Sequence, residues 1–195
     1  HHRVKNNLQV IHSLLDLQAH KISDTDMVDL LRDSQNRIRS MSLIHQTLYQ
    51  SQNFAQVDFQ RFLGELLPRL TESYGARSRR VNIDIRALDV KLPINDAIPC
   101  GLIVNELVSN ALKHGFPDDR CGTVLVEIRQ DTDQVVELSI SDDGQGIPPE
   151  RDLARSESLG LQLVNLLTRQ LHGQLDIQRC NPTRFTLRFR MGDKP

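Results

Sequence analysis

The sequence predicts an α+β protein in which a helical hairpin precedes a mixed sheet that carries helices on one side. Three observations lead there. Apolar residues near the N-terminus recur at alternating steps of four and three. From Val81 onward several short runs alternate at period two. Helical stretches fall between those runs, an order that lays helices against a sheet.

The first helix is read from Val4, Leu8, Ile11, Leu15 and, after polar Gln18, Ile22, and runs from about 1 to 21. Ser23-Asp24 supplies turn and N-cap chemistry, and Met27, Leu31, Ser34, Ile38, Met41, His45 and Leu48 then repeat the spacing in a second helix ending near Asn53. One hairpin has too little partner surface to bury both stripes, so residues 1–55 are expected to dimerise into a four-helix bundle. A helical spacer is the reading that periodicity leaves beside it.

Residues 56–195 are expected to form a second domain. Phe59, Phe62, Leu63, Leu66, Leu67 and Leu70 pattern as an amphipathic helix that Pro68 would bend or shorten. Val81–Ile85, Val124–Ile128 and Val135–Ser141 read as strands, Ile94–His114 and Leu159–Leu171 as helices, and Gly144–Ser158 as a loop. Gly173–Ile177 and Arg184–Arg190 read as a hairpin around Asn181-Pro182. With 4% aromatic residues and no Trp, the core must rest mainly on Leu, Ile and Val.

A net charge of -1 provides no basic field, which argues against nucleic acid as a partner. Cys100, Cys121 and Cys180 are odd in number and lack Cys-x-x-Cys spacing, so neither a disulfide framework nor a zinc site is expected, and a reducing cytosol is the simplest setting. No apolar run approaches the roughly 20 residues that span a bilayer. The chain opens on His1-His2 inside a helical pattern, which predicts a natural protein that continues upstream; a purification-tag remnant is the other reading of that pair.

Three stretches carry chemistry. In Asn105–His114, an unbroken helix would put Glu106, Asn110, Lys113 and His114 on one face, a set able to hold hydrated magnesium and a triphosphate, or simply a solvated face. Asp142-Asp143-Gly144-Gln145-Gly146 ends a predicted strand. There a partly buried carboxylate could accept a bond from an exocyclic amine while the glycines let the backbone turn close to a ligand; an ordinary Asp-Gly turn is the alternative. In Ser158–Leu163 a loop enters a helix whose free amides and dipole can receive phosphate, with Gly160 permitting close approach, although a lone glycine at a helix start is common.

In order and spacing the three resemble the N box and two glycine boxes of the Bergerat (GHKL) ATP-binding fold, an α/β sandwich shared by histidine kinases, gyrase-type topoisomerases, mismatch-repair ATPases and certain chaperones. The resemblance implies ATP and Mg2+ as ligands, with Asn110 binding magnesium, and Lys113 and His114 beside the phosphates. It makes Asp142 the reader of adenine, supported by Thr183, with Gly144 and Gly146 shaping the pocket floor and Gly160 and Leu161 at the phosphates. His1-His2-Arg3-Val4-Lys5-Asn6-Asn7-Leu8-Gln9 looks like the phosphoacceptor box of the HisKA_2 and HWE-related histidine kinases, and such a run is not expected of a tag.

On that likeness His2 is the phosphoacceptor, the chain acts as a homodimer, a sensor domain lies upstream of it, and the phosphoryl group passes to an aspartate on a response-regulator receiver domain. Imidazole, with a reference pKa of about 6.5, is largely neutral and nucleophilic at pH 7. There are departures from the commonest kinase pattern. Arg3 follows the histidine where an acidic residue is usual, leaving the general base to an upstream group or solvent. Ser158 replaces a frequent glycine, and the segment between Ile147 and Ser158 has no phenylalanine and is short. Glu106 stands where gyrase-type ATPases carry the water-activating glutamate, which keeps a GHKL ATPase without phosphohistidine as a rival; a phosphotransfer or dimerisation scaffold with a decayed ATP site is another.

Overall fold

A computed structural model describes residues 56–74, 80–87, 89–118, 120–149, 159–180 and 182–192, and, before them, positions 10, 11, 13–15, 17, 27, 31, 34, 35, 37, 38, 41 and 42. Those N-terminal positions are all helical, and Val10, Ile11, Leu14, Leu17 and Met27 expose large apolar side chains. The rest of the predicted hairpin, with its connection at Ser23-Asp24 and the phosphoacceptor candidate His2, lies outside the described residues.

Strand β1 (Val57–Asp58) leads directly into helix α1 (Phe59–Tyr74). The Asp58 carboxylate accepts the Arg61 amide N–H at 3.0 Å, which satisfies one of the donors a helix start leaves open. Pro68 neither stops nor shortens the helix. Phe59, Phe62, Leu63, Leu66, Leu67 and Leu70 lie on its buried face, and that packing holds the helix together past the missing amide. β1 also pairs antiparallel with β3 (Lys91–Leu92), a two-residue ladder too short for any period to announce.

The main sheet has five strands: β2 (Val81–Arg86), β4 (Gly122–Gln130), β5 (Val135–Asp142), β6 (Gln174–Gln178) and β7 (Thr183–Arg190). Their order is β2-β4-β5-β7-β6, with β2 parallel to β4 and every other pair antiparallel. Alternate residues Val124, Val126 and Ile128, Val136, Leu138 and Ile140, and Phe185, Leu187 and Phe189 are buried. Against that side pack α1, α2 (Ile94–Asn110) and α3 (Leu159–Gln170), the one-sided arrangement expected. The opposite side carries ion pairs such as Arg129 and Arg188 on Glu137, at 2.6 and 2.7 Å.

The second predicted helix of this region is not one continuous α-helix. α2 stops at Asn110 and passes into a π-helical turn over Ala111–Gly115. Such a turn carries one extra residue and commonly sits at functional sites. Here Ala111, His114 and Gly115 of the turn line a cleft.

Candidate functional site

A cleft of about 670 Å3, counted to its open mouth, lies between the end of α2, the end of β5 and the start of α3. Leu107, Ala111, Ile140, Ile147, Leu161 and Phe185 give it apolar walls; Asn110, His114, Asp142 and Thr183 supply its polar side chains, and Gly115 and Gly146 complete the lining. Apolar walls with a few convergent polar groups suit a flat heteroaromatic ring bearing a charged tail.

Asp142 ends β5 in register with Thr183, the first residue of β7, and the two side chains share a hydrogen bond. The Gly144 amide N–H donates to Asp142 Oδ1 at 3.0 Å. Burial pushes the Asp142 carboxyl above its ordinary 3.8, outweighing both of those hydrogen bonds, and Asp143 pushes it the same way. A desolvated carboxylate held this way in a cleft marks a functional candidate.

The backbone after Asp142 is tied on two sides. Gln145 donates from its amide N–H to the Gly115 carbonyl at 2.9 Å and from Nε2 to the His114 carbonyl at 2.7 Å, fastening the strap to the π turn. On the far side the Ile147 N–H donates to the Arg179 carbonyl at 2.8 Å, and Arg179 Nη1 donates to the carbonyls of Pro148 and Pro149, each at 3.1 Å. Gly146 needs its freedom, with φ at +84°. A Cβ on Gly144 would collide with the Gly115 carbonyl and lie 2.6 Å from Asp142 Oδ1. Gly144→Ala is therefore expected to lower stability by about 1–3 kcal/mol, the usual range for overpacking, which a denaturant titration would read as an earlier midpoint. An unchanged midpoint would mean that the strap yields freely.

The predicted shared face of Glu106, Asn110, Lys113 and His114 comes apart at the π turn. Asn110 and His114 line the cleft, whereas the Lys113 ammonium stands 5.9 Å from the centre of the Tyr74 ring, outside the lining. Widening the turn changes the angular step between residues, so Lys113 no longer follows the α-helical phase that the sequence reading assumed.

Glu106, one turn earlier, is 3% exposed and receives Arg37 Nε at 2.9 Å on Oε1 and 3.0 Å on Oε2. Of the remaining predicted residues, Gly146, Leu161 and Thr183 line the cleft, Gly144 holds Asp142 from behind, and Gly160 sits at the start of α3 against Glu106 and Arg37. Gln145, Arg179 and Arg37 were not singled out from the sequence. Gln145 alone had a local signal, its place between the two glycines.

Two family profiles match the chain: HisKA_2, described as histidine kinase, over residues 1–74, and HATPase_c, described as histidine kinase-, DNA gyrase B-, and HSP90-like ATPase, over residues 95–193. The sensor histidine kinase PdtaS of Mycobacterium tuberculosis is 34% identical over 182 residues, covering 91% of this chain and 35% of the relative. Blue-light-activated histidine kinase 2 of Erythrobacter litoralis is 29% identical over 181 residues, covering 91% of this chain and 51% of the relative. The chain thus spans about a third of the PdtaS relatives' length. Among solved structures, the histidine kinase domain of the Erythrobacter litoralis EL346 blue-light activated kinase superposes with a TM-score of 0.73 at 20% identity, covering 98% of this chain and 96% of that one, a likeness of fold.

Proposed function

From the premise that this chain belongs to the histidine kinases that join a HisKA_2 segment to an HATPase_c domain, we propose that it binds MgATP in the cleft and transfers the γ-phosphoryl group to His2. The observation that carries this reading is Asp142. It is a half-buried carboxylate, held by Gly144 and Thr183, with one wall of apolar side chains beside it. An adenine ring fits those walls, its exocyclic amine donating to the carboxylate, while the phosphates extend toward Asn110, His114 and the start of α3.

Magnesium, when bound, offsets charge on the transferring phosphate. Among the described residues no group of three or more His, Cys, Asp or Glu could hold an ion, so the Asn110 carboxamide fits an ion that takes most of its oxygens from phosphate and water. Lys113 lies in the same turn as His114 and is proposed to leave the Tyr74 ring for the phosphates. A neutral nitrogen of His2 attacks the γ-phosphorus, the bond to the bridging oxygen breaks, and ADP leaves; the imidazole proton passes to solvent or a nearby base.

As the working unit we propose a homodimer through the predicted hairpin, whose exposed Val10, Ile11, Leu14, Leu17 and Met27 need cover, and as the next acceptor an aspartate of a response-regulator receiver domain. Among the described residues no helix is long and apolar enough to cross a membrane; a cytoplasmic setting belongs to the same proposal. A second reading, ATP hydrolysis without a phosphohistidine, is favoured by Glu106, a buried carboxylate close to the start of α3. Incubation with γ-labelled ATP separates the two. Label on the protein that acid removes and base does not supports transfer, whereas steady phosphate release with no labelled protein sinks it.

A further inference from the structure

Arg37 comes from the second predicted helix of the N-terminal segment, 69 residues before Glu106, yet it reaches Glu106 and the start of α3, next to Leu161 of the cleft. The position a Cβ would take on Gly160 marks the spot. It lies 2.8 Å from Glu106 Oε2, 3.2 Å from Arg37 Nη2 and 3.8 Å from Asn110 Nδ2. Gly160 thus keeps open a small space at the start of α3, bounded by a guanidinium from one part of the chain and a carboxamide from another.

The way Arg37 is held decides what it can do. Both hydrogen bonds to Glu106 use Nε, at 2.9 and 3.0 Å. Among the described residues no hydrogen bond of Arg37 uses Nη1 or Nη2, so the N–H groups that suit phosphate oxygens remain to donate. Its side chain is 17% exposed against 4% for that of Glu106, an accessible fork anchored to a buried carboxylate. The buried Glu106 gains a cation that offsets the cost of its own desolvation, and the guanidinium gains a fixed aim.

We propose that Arg37 is a ligand of the γ-phosphate supplied by the N-terminal segment, and that Glu106 is the positioning residue that holds it through Nε so that the Nη groups face the nucleotide. The inference rests on the proposed ATP site. It makes the site complete only when the second predicted helix is docked, so that a nucleotide carrying a third phosphate tightens the docking of the segment that bears the acceptor. A guanidinium placed this way also offsets charge that builds on the transferring group.

The test is the ratio of affinities for the β,γ-imido analogue of ATP and for ADP, measured by calorimetry with magnesium on the whole chain. Arg37→Gln is expected to leave ADP affinity in place and to cut the preference for the triphosphate by roughly tenfold or more, the scale of a hydrogen bond between charged groups. Arg37→Lys keeps the charge but cannot be held through one nitrogen while donating from two others, so it too is expected to lose much of the preference, and it decides the matter should the glutamine variant not fold. Glu106→Gln is expected to lower the preference in the same direction. Equal losses for both nucleotides would make Arg37 a structural clasp and overturn the proposal, as would an unchanged ratio. A wild-type chain that binds neither nucleotide would instead refute the ATP site itself.

Discussion

A chain carrying His2→Gln should take up no acid-labile label from γ-labelled ATP, while its affinity for ATP stays within about a factor of two of the parent, the range of surface substitutions. The reason is electronic. An imidazole nitrogen presents a localised lone pair to phosphorus, whereas the lone pair of a carboxamide nitrogen is delocalised into the carbonyl and its oxygen forms no durable phosphoryl adduct. Glutamine matches the reach and polarity of the parent side chain, so a lost signal reports chemistry rather than a disturbed helix. Label that persists, with the same acid lability, would move the acceptor to another residue and remove His2 from the mechanism.

Asp142→Asn should separate binding from stability, with opposite signs. Gly144 already holds one carboxylate oxygen through its amide N–H. An asparagine that keeps this bond with Oδ1 turns its NH2 to where the second oxygen stood, donor against the exocyclic amine of adenine. The lost bond and the unpaired groups together cost about 1.5–3 kcal/mol, roughly a tenfold to hundredfold weaker ATP affinity. Stability should move the other way. Because burial raises the carboxyl of Asp142 above 3.8, the fold prefers its neutral form. The contribution of this group is fully present below pH 3.8 and is lost as pH rises through the raised value, so at pH 7 the ionised side chain is a cost that the amide removes. The variant without nucleotide is therefore expected to melt no lower than the parent at pH 7 and to lose that advantage toward pH 3. A drop in melting temperature at neutral pH, or undiminished ATP affinity, would sink this account of Asp142.

Much of the sheet and its helices could be read from period alone, because Phe185, Leu187 and Phe189 alternate strictly with polar neighbours, and Val124, Val126 and Ile128 keep the same step with only Leu125 breaking the polar set between them. Asp142 could be read because a carboxylate at a strand end followed by two glycines is a local arrangement. What stayed hidden was geometry set at a distance. Arg37 lies in an ordinary amphipathic pattern, and nothing near it records a partner 69 residues away. The pairing of Val57 with Leu92 is held by packing under α1 rather than by strand length. The direction of Lys113 depended on one turn of helix being wide or narrow, and apolar spacing over five residues distinguishes the two poorly. Pro68 alone predicts a bent or shortened helix, yet α1 runs on to Tyr74, because six buried side chains on one face outweigh the single hydrogen bond that proline removes.

The wide turn at Ala111–Gly115 has a bearing on how such a cleft can be altered over time. Its girth comes from backbone hydrogen bonds that skip five residues instead of four, so exchanging side chains acts on it only indirectly. A gain or loss of one residue is the direct way to reset the aim of His114 relative to Asn110. Ordinary drift by substitution can therefore tune affinity at this rim while leaving its register untouched.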